Sequence, residues 1–215
     1  MRRKIGSVVV CGGGGAGGSA GTGGAGGGST VQTPNLIVNG DGEAALGSTD
    51  GSPVSTPGWT STGEATAIRY DSSGYPASTD QGPPDRGSNF LAGGENDDSS
   101  ALSQVIDVST YATAIDAGQV TYALSGYLGG WQDQGDAATL QVTFEGAGAL
   151  FLGTASIGPV TPGDREDVTG LLLRSTSGPV PAGTRSVAVD LTMIRQAGVN
   201  NDGYADDLAL VLSGV

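Results

Sequence analysis

Oxygen is the ligand chemistry this chain offers. Three short stretches concentrate it: "NGDGEA" (Asn39–Ala44), "GGENDDSS" (Gly93–Ser100) and "NNDGYADD" (Asn200–Asp207). Hard cations, calcium above all, take six to eight carboxylate and carbonyl oxygens. The third stretch places Asn200, Asp202 and Gly203 at the third, fifth and sixth positions of an EF-hand loop. Its first position falls on Gly198 and its twelfth on Ala209, where a bidentate Glu is required, so it is no EF-hand. "GGENDDSS" reads equally as a polar turn. The end of the third stretch raises a sharper question. In "NNDGYADDLALVL" strict strand alternation puts Tyr204, Asp206, Leu208, Leu210 and Leu212 on one face. A carboxylate on a leucine face must be paired, neutralised or metal-bound. A metal, an arginine such as Arg69 or Arg195, or the amides of the Gly203 turn would each serve.

Most other chemistry is excluded. The chain has no His, so it has neither an imidazole base nor His-ligated zinc. Its one Cys, Cys11, and its one Lys, Lys4, both lie near the N-terminus. No Gly-rich phosphate loop sits between a strand and a helix. Paired carboxylates could hydrolyse glycosides. Separation along the chain does not give separation in space, however, and acids are abundant and ordinarily solvated. No catalytic residue can be named. After residue 40 the chain carries 22 acids against six arginines, a balance of −16. That field disfavours nucleic acid and anionic membrane surfaces and favours divalent cations.

The elements that would position these residues begin after a long preamble. "MRRKIGSVVVC" has basic residues, an apolar run and then Cys11, in the manner of a shortened lipoprotein signal with a lipid anchor on Cys11. The apolar run is short, and Val10 stands where such signals want a small residue. Residues 12–28 contain only Gly, Ala, Ser and Thr, a composition that reads as a flexible tether. Residues 1–34 are therefore expected to be a signal-like segment and linker, and residues 35–215 one domain. No segment reaches the roughly 20 apolar residues of a membrane span.

Strand signals dominate that domain. Ala138–Phe144, Ser186–Met193 and Val120–Leu124 alternate cleanly. Leu36–Asn39, Ala65–Tyr70, Asn89–Ala92, Leu102–Val108, Ala149–Ile157, Thr169–Ser175 and Leu208–Leu212 follow the same rule less strictly. Gly, Pro, Asn and Asp clusters separate them. Ser109–Ala117 could form a short helix. About ten short strands without strand–helix alternation predict an all-β jelly-roll sandwich.

Two motifs now stand in order. The domain opens with "NLIVNGDGEA" and "PGWTSTG" and closes with "NNDGYADDLALVL". Together they resemble the galactose-binding-like jelly-roll superfamily, especially bacterial extracellular domains and carbohydrate-binding modules. "GDAATLQVTFEGAGALFLGTASIG" is similar to the family's central hairpin and "VPAGTRSVAVDLTM" to its penultimate strand. The resemblance implies a structural calcium between first and last strands, held by Glu43 and Asp206. Carbonyls of the Asn39–Asp41 turn and of Asp206 would add to it, with Asp41 and Asp207 standing second.

The resemblance also implies a non-catalytic, exported or cell-surface domain that recognises a glycan. Sugar binding uses aromatic platforms with a few polar groups around them. The candidate rings are Trp131 and Tyr127 in "SGYLGGWQDQGD" and Tyr75 in "SSGYPASTD". Trp131 leads because Gly and polar residues flank it. Trp59 and Tyr204 read as structural. The alternative is a surface structural or adhesion protein that contacts other proteins. A glycoside-active hydrolase is the third reading. The position of Trp131 discriminates the first two: on a rim beside carboxylates or amides it favours sugar, and in the core it favours the structural role.

Overall fold

The computed structural model describes residues 31–215; Cys11 and the 12–28 tract lie outside the described residues. Ten strands form two antiparallel five-stranded sheets, a jelly-roll β-sandwich. They are β1 (Thr60–Thr62), β2 (Thr66–Arg69), β3 (Asn89–Gly94), β4 (Ser99–Asp107), β5 (Thr121–Gly130), β6 (Ala137–Gly146), β7 (Leu150–Ile157), β8 (Gly170–Pro179), β9 (Ser186–Ile194) and β10 (Asn201–Ser213). The first sheet runs β1-β4-β9-β6-β7 and the second β2-β3-β10-β5-β8. The expected helix is a 3-10 turn, Ser109–Tyr111, followed by α1 (Ala112–Asp116). The three-residue β1 had no signal in the sequence.

The first sheet is one-sided. On β6 and β9 the residues Leu140, Val142, Phe144, Val187, Val189, Leu191 and Met193 are buried, and those between them are partly or fully exposed. The second sheet is buried on both faces across β3 and the start of β10, whereas β8 and the start of β5 carry exposed positions. Ala67, Leu91 and Ala205 enter the main core between the sheets, while their neighbours Ile68, Phe90, Ala92 and Tyr204 enter a second cluster with Tyr70, Tyr75 and Leu171. Since adjacent strand residues face opposite ways, this second cluster lies on the outer face. Tyr70 and Tyr75 come from the segment between β2 and β3, which covers that face. Phe90 packs against both Tyr70 and Tyr204, with ring centroids 4.9 and 5.1 Å apart.

Strand alternation misplaces Asp206. Tyr204 belongs to the outer cluster, yet Leu208, Leu210 and Leu212 belong to the main core. The phase changes because β10 carries an extra residue. Asp206 pairs with Tyr127 and Ala209 with Ser125, so three steps on β10 oppose two on β5. Asp207 takes the surplus in a left-handed conformation, φ 48°. This is a β-bulge, which re-aims the side chains on either side of it. Asp206 therefore shares a face with Tyr204, not with the leucines.

The opening segment is not the strand expected at Leu36–Asn39. It follows β10 through backbone and side-chain bonds: Thr33 N–H donates to Leu212 O, Leu36 N–H to Leu210 O, and Leu212 N–H to Thr33 Oγ1 at 3.0 Å. Asn35 replaces further ladder bonds, accepting from Leu210 N–H at 3.0 Å and donating to Leu208 O at 2.9 Å. A turn then begins at Val38. Gly40 fits there because a β-carbon would collide with the carbonyl of Leu208.

Candidate functional site

Trp131 follows the last residue of β5 and stands half-buried on an open cleft of about 890 Å³. Three segments wall the cleft: Thr79–Gln81, Trp131–Asp133 and Asp167–Thr169. The ring's inner side packs on the outer aromatic cluster, apart from the main core. Exposed Val168 adds an apolar surface. Asp80, Asp133, Asp167, Gln81 and Gln132 supply carboxylates and amides beside it. Glycine brings the walls together at Gly129, where a β-carbon would collide with the carbonyl of Gly170.

Two arginines hold the walls. Arg165 is 1% exposed, yet it makes no ion pair among the described residues. Its Nη1 donates to Gln132 O at 2.7 Å and Val168 O at 2.6 Å, and its Nη2 to Gln134 O at 3.2 Å. One guanidinium thus joins the Trp131 turn to the Asp167 turn. Burial lowers its pKa, and the charges of Asp167 and Asp164 oppose that shift. Gln132 N–H also donates to Thr169 Oγ1 at 3.2 Å. Arg86 does the same for the third wall, donating to Asp80 O at 2.9 Å, Pro83 O at 3.1 Å and Ala77 O at 3.3 Å. Backbone strain gathers here too. Gln132, Glu166 and Asp167 are left-handed, with φ 42°, 57° and 60°. Such residues persist where the surroundings over-determine them. Sequence reasoning missed both arginines; "VTPGDRED" showed a turn, with no sign that its Arg would be buried.

A second acid-rich region lies where the opening turn meets β10. Asp206 is fully buried. Its Oδ2 accepts from Tyr70 Oη at 2.7 Å and its Oδ1 from Asp207 N–H at 2.8 Å. Neither Arg69 nor Arg195 holds it, and Arg195 pairs with Asp98. Burial pushes Asp206 up to about 8, against the Tyr70 hydrogen bond. The Tyr70 phenol is raised in turn, by burial first and then by the Asp206 charge. Asp207 is pushed up to about 6 by burial, then by the charges of Asp85 and Asp41, with Glu43 contributing least. Nearby, Tyr204 Oη donates to Asp202 Oδ1 at 2.6 Å, a second buried phenol–carboxylate pair.

The other expected ligands have their own partners. Glu43 Oε1 accepts from Ser88 N–H at 2.7 Å and Asn89 N–H at 2.6 Å. The Asn39 side chain closes its own turn, accepting from Ala44 N–H and donating to Pro57 O. Its carbonyl accepts from Trp59 Nε1 at 2.9 Å, which fixes Trp59 as a structural ring packed on the main core. Asp41 Oδ1 accepts from Glu43 N–H. Asn39, Gly40, Asp41 and Asp207 line a cavity of about 300 Å³. Among the described residues, no three His, Cys, Asp or Glu side chains converge closely enough to hold a metal ion.

Of the three expected binding rings, only Trp131 lines the cleft. Tyr75 is 8% exposed, because the segment that carries it folds down onto the outer face of the second sheet. Its hydroxyl finds no partner among the described residues. Tyr127 lies within β5 opposite Asp206, half-buried against the same cluster.

No protein-family model and no curated protein matches the chain. Among solved structures it is similar to the enzymatically active domain of bacteriophage CBA120 tailspike protein 4, at 14% identity over 82% of this chain and 21% of that one, TM-score 0.48. It is also similar to a family 16 carbohydrate binding module, at 18% identity over 82% and 99% of the two chains, TM-score 0.42. A third is the C-terminal family 22 carbohydrate binding module of Clostridium thermocellum Xyn10B, at 13% identity over 81% and 96%, TM-score 0.41. The chain spans about a fifth of the tailspike chain and nearly all of the two modules. These are likenesses of shape; the reading of the site rests on its own geometry.

Proposed function

We propose that this is a non-catalytic, exported carbohydrate-binding domain with Trp131 as its stacking platform. One observation carries the reading: the ring lies on an open cleft beside carboxylates and amides, outside the main core. An indole face takes the apolar face of a pyranose, and the polar rim takes its hydroxyls. The arginine-held walls support it, because a preformed site loses less ordering entropy on binding. A glycan-array screen of the full chain, with and without calcium, tests it. The expected result is a saccharide hit that disappears in Trp131→Ala. An array without hits, or hits indifferent to Trp131, would overturn it.

The same reading includes a calcium ion at the Asp206–Asp207 junction. Asp41, Glu43 and Asp85 place charge on Asp207, and no ion pair relieves any of these acids among the described residues. Every donor is a hard oxygen, which suits calcium. Asp41 and Asp207, which line one cavity with Asn39 and Gly40, would supply two carboxylates, and backbone carbonyls and water would complete the shell. Binding only the folded state, the ion would add about 2.7 kcal/mol at 100 times its dissociation constant. A chelator should therefore lower the melting temperature by several degrees. A melt that ignores the chelator would remove calcium from the reading and leave the glycan site standing.

A further inference from the structure

The charges around Trp131 go further than saccharide binding in general. Asp80, Asp133 and Asp167 line the cleft, and no basic side chain lines it with them. The arginines behind the walls form no ion pair with these acids among the described residues, although Arg165 feels the Asp167 charge through the wall. Arg86 and the two Nη groups of Arg165 donate to backbone carbonyls, and Arg165 Nε finds no partner among the described residues. Arg174, Arg185 and Arg195 pair with Asp164, Asp116 and Asp98, all outside the cleft. Asp133 and Asp167 are exposed and accept no hydrogen bond from any described residue. Asp80 uses one oxygen, Oδ2, which accepts from Ala77 N–H at 2.8 Å.

We infer that the ligand is an amine-bearing glycan, a saccharide with free 2-amino groups, stacked on Trp131 with its ammonium groups facing Asp133 and Asp167. The inference rests on the glycan reading of the same cleft. Three features select for such a ligand. The indole ring attracts a cation through its face as well as offering area to a sugar ring. The carboxylates on the rim make charge-assisted bonds to ammonium donors, which are stronger than bonds to hydroxyls. The same carboxylates repel uronate and sulfated glycans, so the site selects by exclusion as well as attraction. A neutral glucan offers these carboxylates hydroxyl donors only, without the ion-pair attraction that an ammonium adds. The net charge of −13 draws any polycation towards the protein, but that attraction fades within about 8 Å at physiological salt. Selection must therefore come from the cleft.

Isothermal titration of the full chain with a glucosamine oligosaccharide, its N-acetylated counterpart and a neutral glucan oligosaccharide of equal length tests this. In mildly acidic buffer at physiological salt, the glucosamine oligomer should bind at least about tenfold more tightly than the other two, which is 1.4 kcal/mol. Mildly alkaline buffer deprotonates the sugar amines and should erase that preference. Asp133→Asn with Asp167→Asn should bring the three ligands to parity, and Trp131→Ala should abolish binding of all three. Parity in the wild-type protein, or preference for the acetylated or neutral oligomer, overturns the inference and leaves the glycan reading intact. Amine binding that survives Trp131→Ala, or is matched by a lysine-rich peptide, overturns it as mere surface attraction or peptide recognition. Failure of every saccharide overturns both readings.

Discussion

At the Trp131 cleft, Asp133 and Asp167 stand in solvent with no protein partner. At the β10 bulge, Asp206 is fully buried between a phenol and an amide, and Asp207 crowds against Asp85 and Asp41. Both regions are built on left-handed non-glycine residues, Gln132, Glu166 and Asp167 at one and Asn39 and Asp207 at the other. The difference lies in where the cation is. Behind the cleft a buried guanidinium organises the backbone, so the rim acids keep their charge for a ligand. At the bulge the Arg86 guanidinium lies over the Tyr70 ring at 5.1 Å and pairs with none of the acids among the described residues, so the acids must take up protons or bind a cation. The same residue type serves recognition in one place and is a folding cost in the other, and burial decides which.

Arg165 is the strongest test of that contrast. Arg165→Met keeps much of the volume but leaves Gln132 O, Gln134 O and Val168 O without their donor. Each buried carbonyl left without a donor costs about 1–3 kcal/mol, so a loss of several kcal/mol is expected in denaturant unfolding, together with loss of glycan binding. A variant within about 0.5 kcal/mol of wild type would show that the cleft walls stand without the guanidinium.

The bulge makes a prediction about pH. In an unfolded chain an aspartate titrates near 3.9. In the fold Asp206 is pushed up to about 8 and Asp207 to about 6. Between about pH 4 and pH 8 the folded state therefore holds more protons than the unfolded state, and its stability falls as pH rises. The penalty is absent below about pH 4 and complete above about pH 8. At 1.36 kcal/mol per pKa unit it is on the order of several kcal/mol for the pair. In chelator, Asp206→Asn should flatten this slope relative to wild type and raise the melting temperature at pH 8. Calcium should raise the wild-type melt most at that same pH, because the ion replaces the proton. A wild-type slope unchanged by Asp206→Asn would mean that Asp206 stays ionised without help.

The sandwich was legible because its strands obey local rules. Alternation in Ala138–Phe144 and Ser186–Met193 is a property of seven or eight consecutive residues, and the structure has β6 and β9 there. What failed depended on contacts far along the chain. The surplus residue at Asp207 breaks the period inside an unbroken strand, and nothing in "ADDLALVL" marks it. Tyr75 has the polar and Gly-rich flanks that distinguished Trp131, yet its segment folds back over β3 and β10 and buries it. Asp206 was rightly singled out as a buried acid, but its partner, Tyr70, lies 136 residues away.

Trp131 carries a smaller stability effect and a larger binding effect. Its ring is half-buried on the outer cluster, so Trp131→Ala should cost about 1–2 kcal/mol, below the 3–5 of a fully buried aromatic. Glycan affinity should fall at least about a hundredfold, since stacking residues of this kind act as hot spots. A stability loss of 4 kcal/mol or more, on the order of a core deletion, would move Trp131 from the site into the fold.

Tyr75 gives the smallest effect and the one of opposite sign. Its hydroxyl is buried with no partner among the described residues, and burial together with the charges of Glu95, Asp202 and Asp50 pushes its pKa up to about 12. A buried hydroxyl without a hydrogen bond costs free energy that a phenylalanine would not. Tyr75→Phe removes that cost and leaves a void of one oxygen, so the net change should be between zero and about 1 kcal/mol of added stability. Glycan affinity should not move, because the ring does not line the cleft. This separates the two rings that looked alike in the sequence, since one variant changes binding and the other changes only packing. A loss of more than about 1 kcal/mol in Tyr75→Phe would show that the hydroxyl is bonded, with an ordered water as its partner. A loss of glycan affinity would return Tyr75 to the binding site.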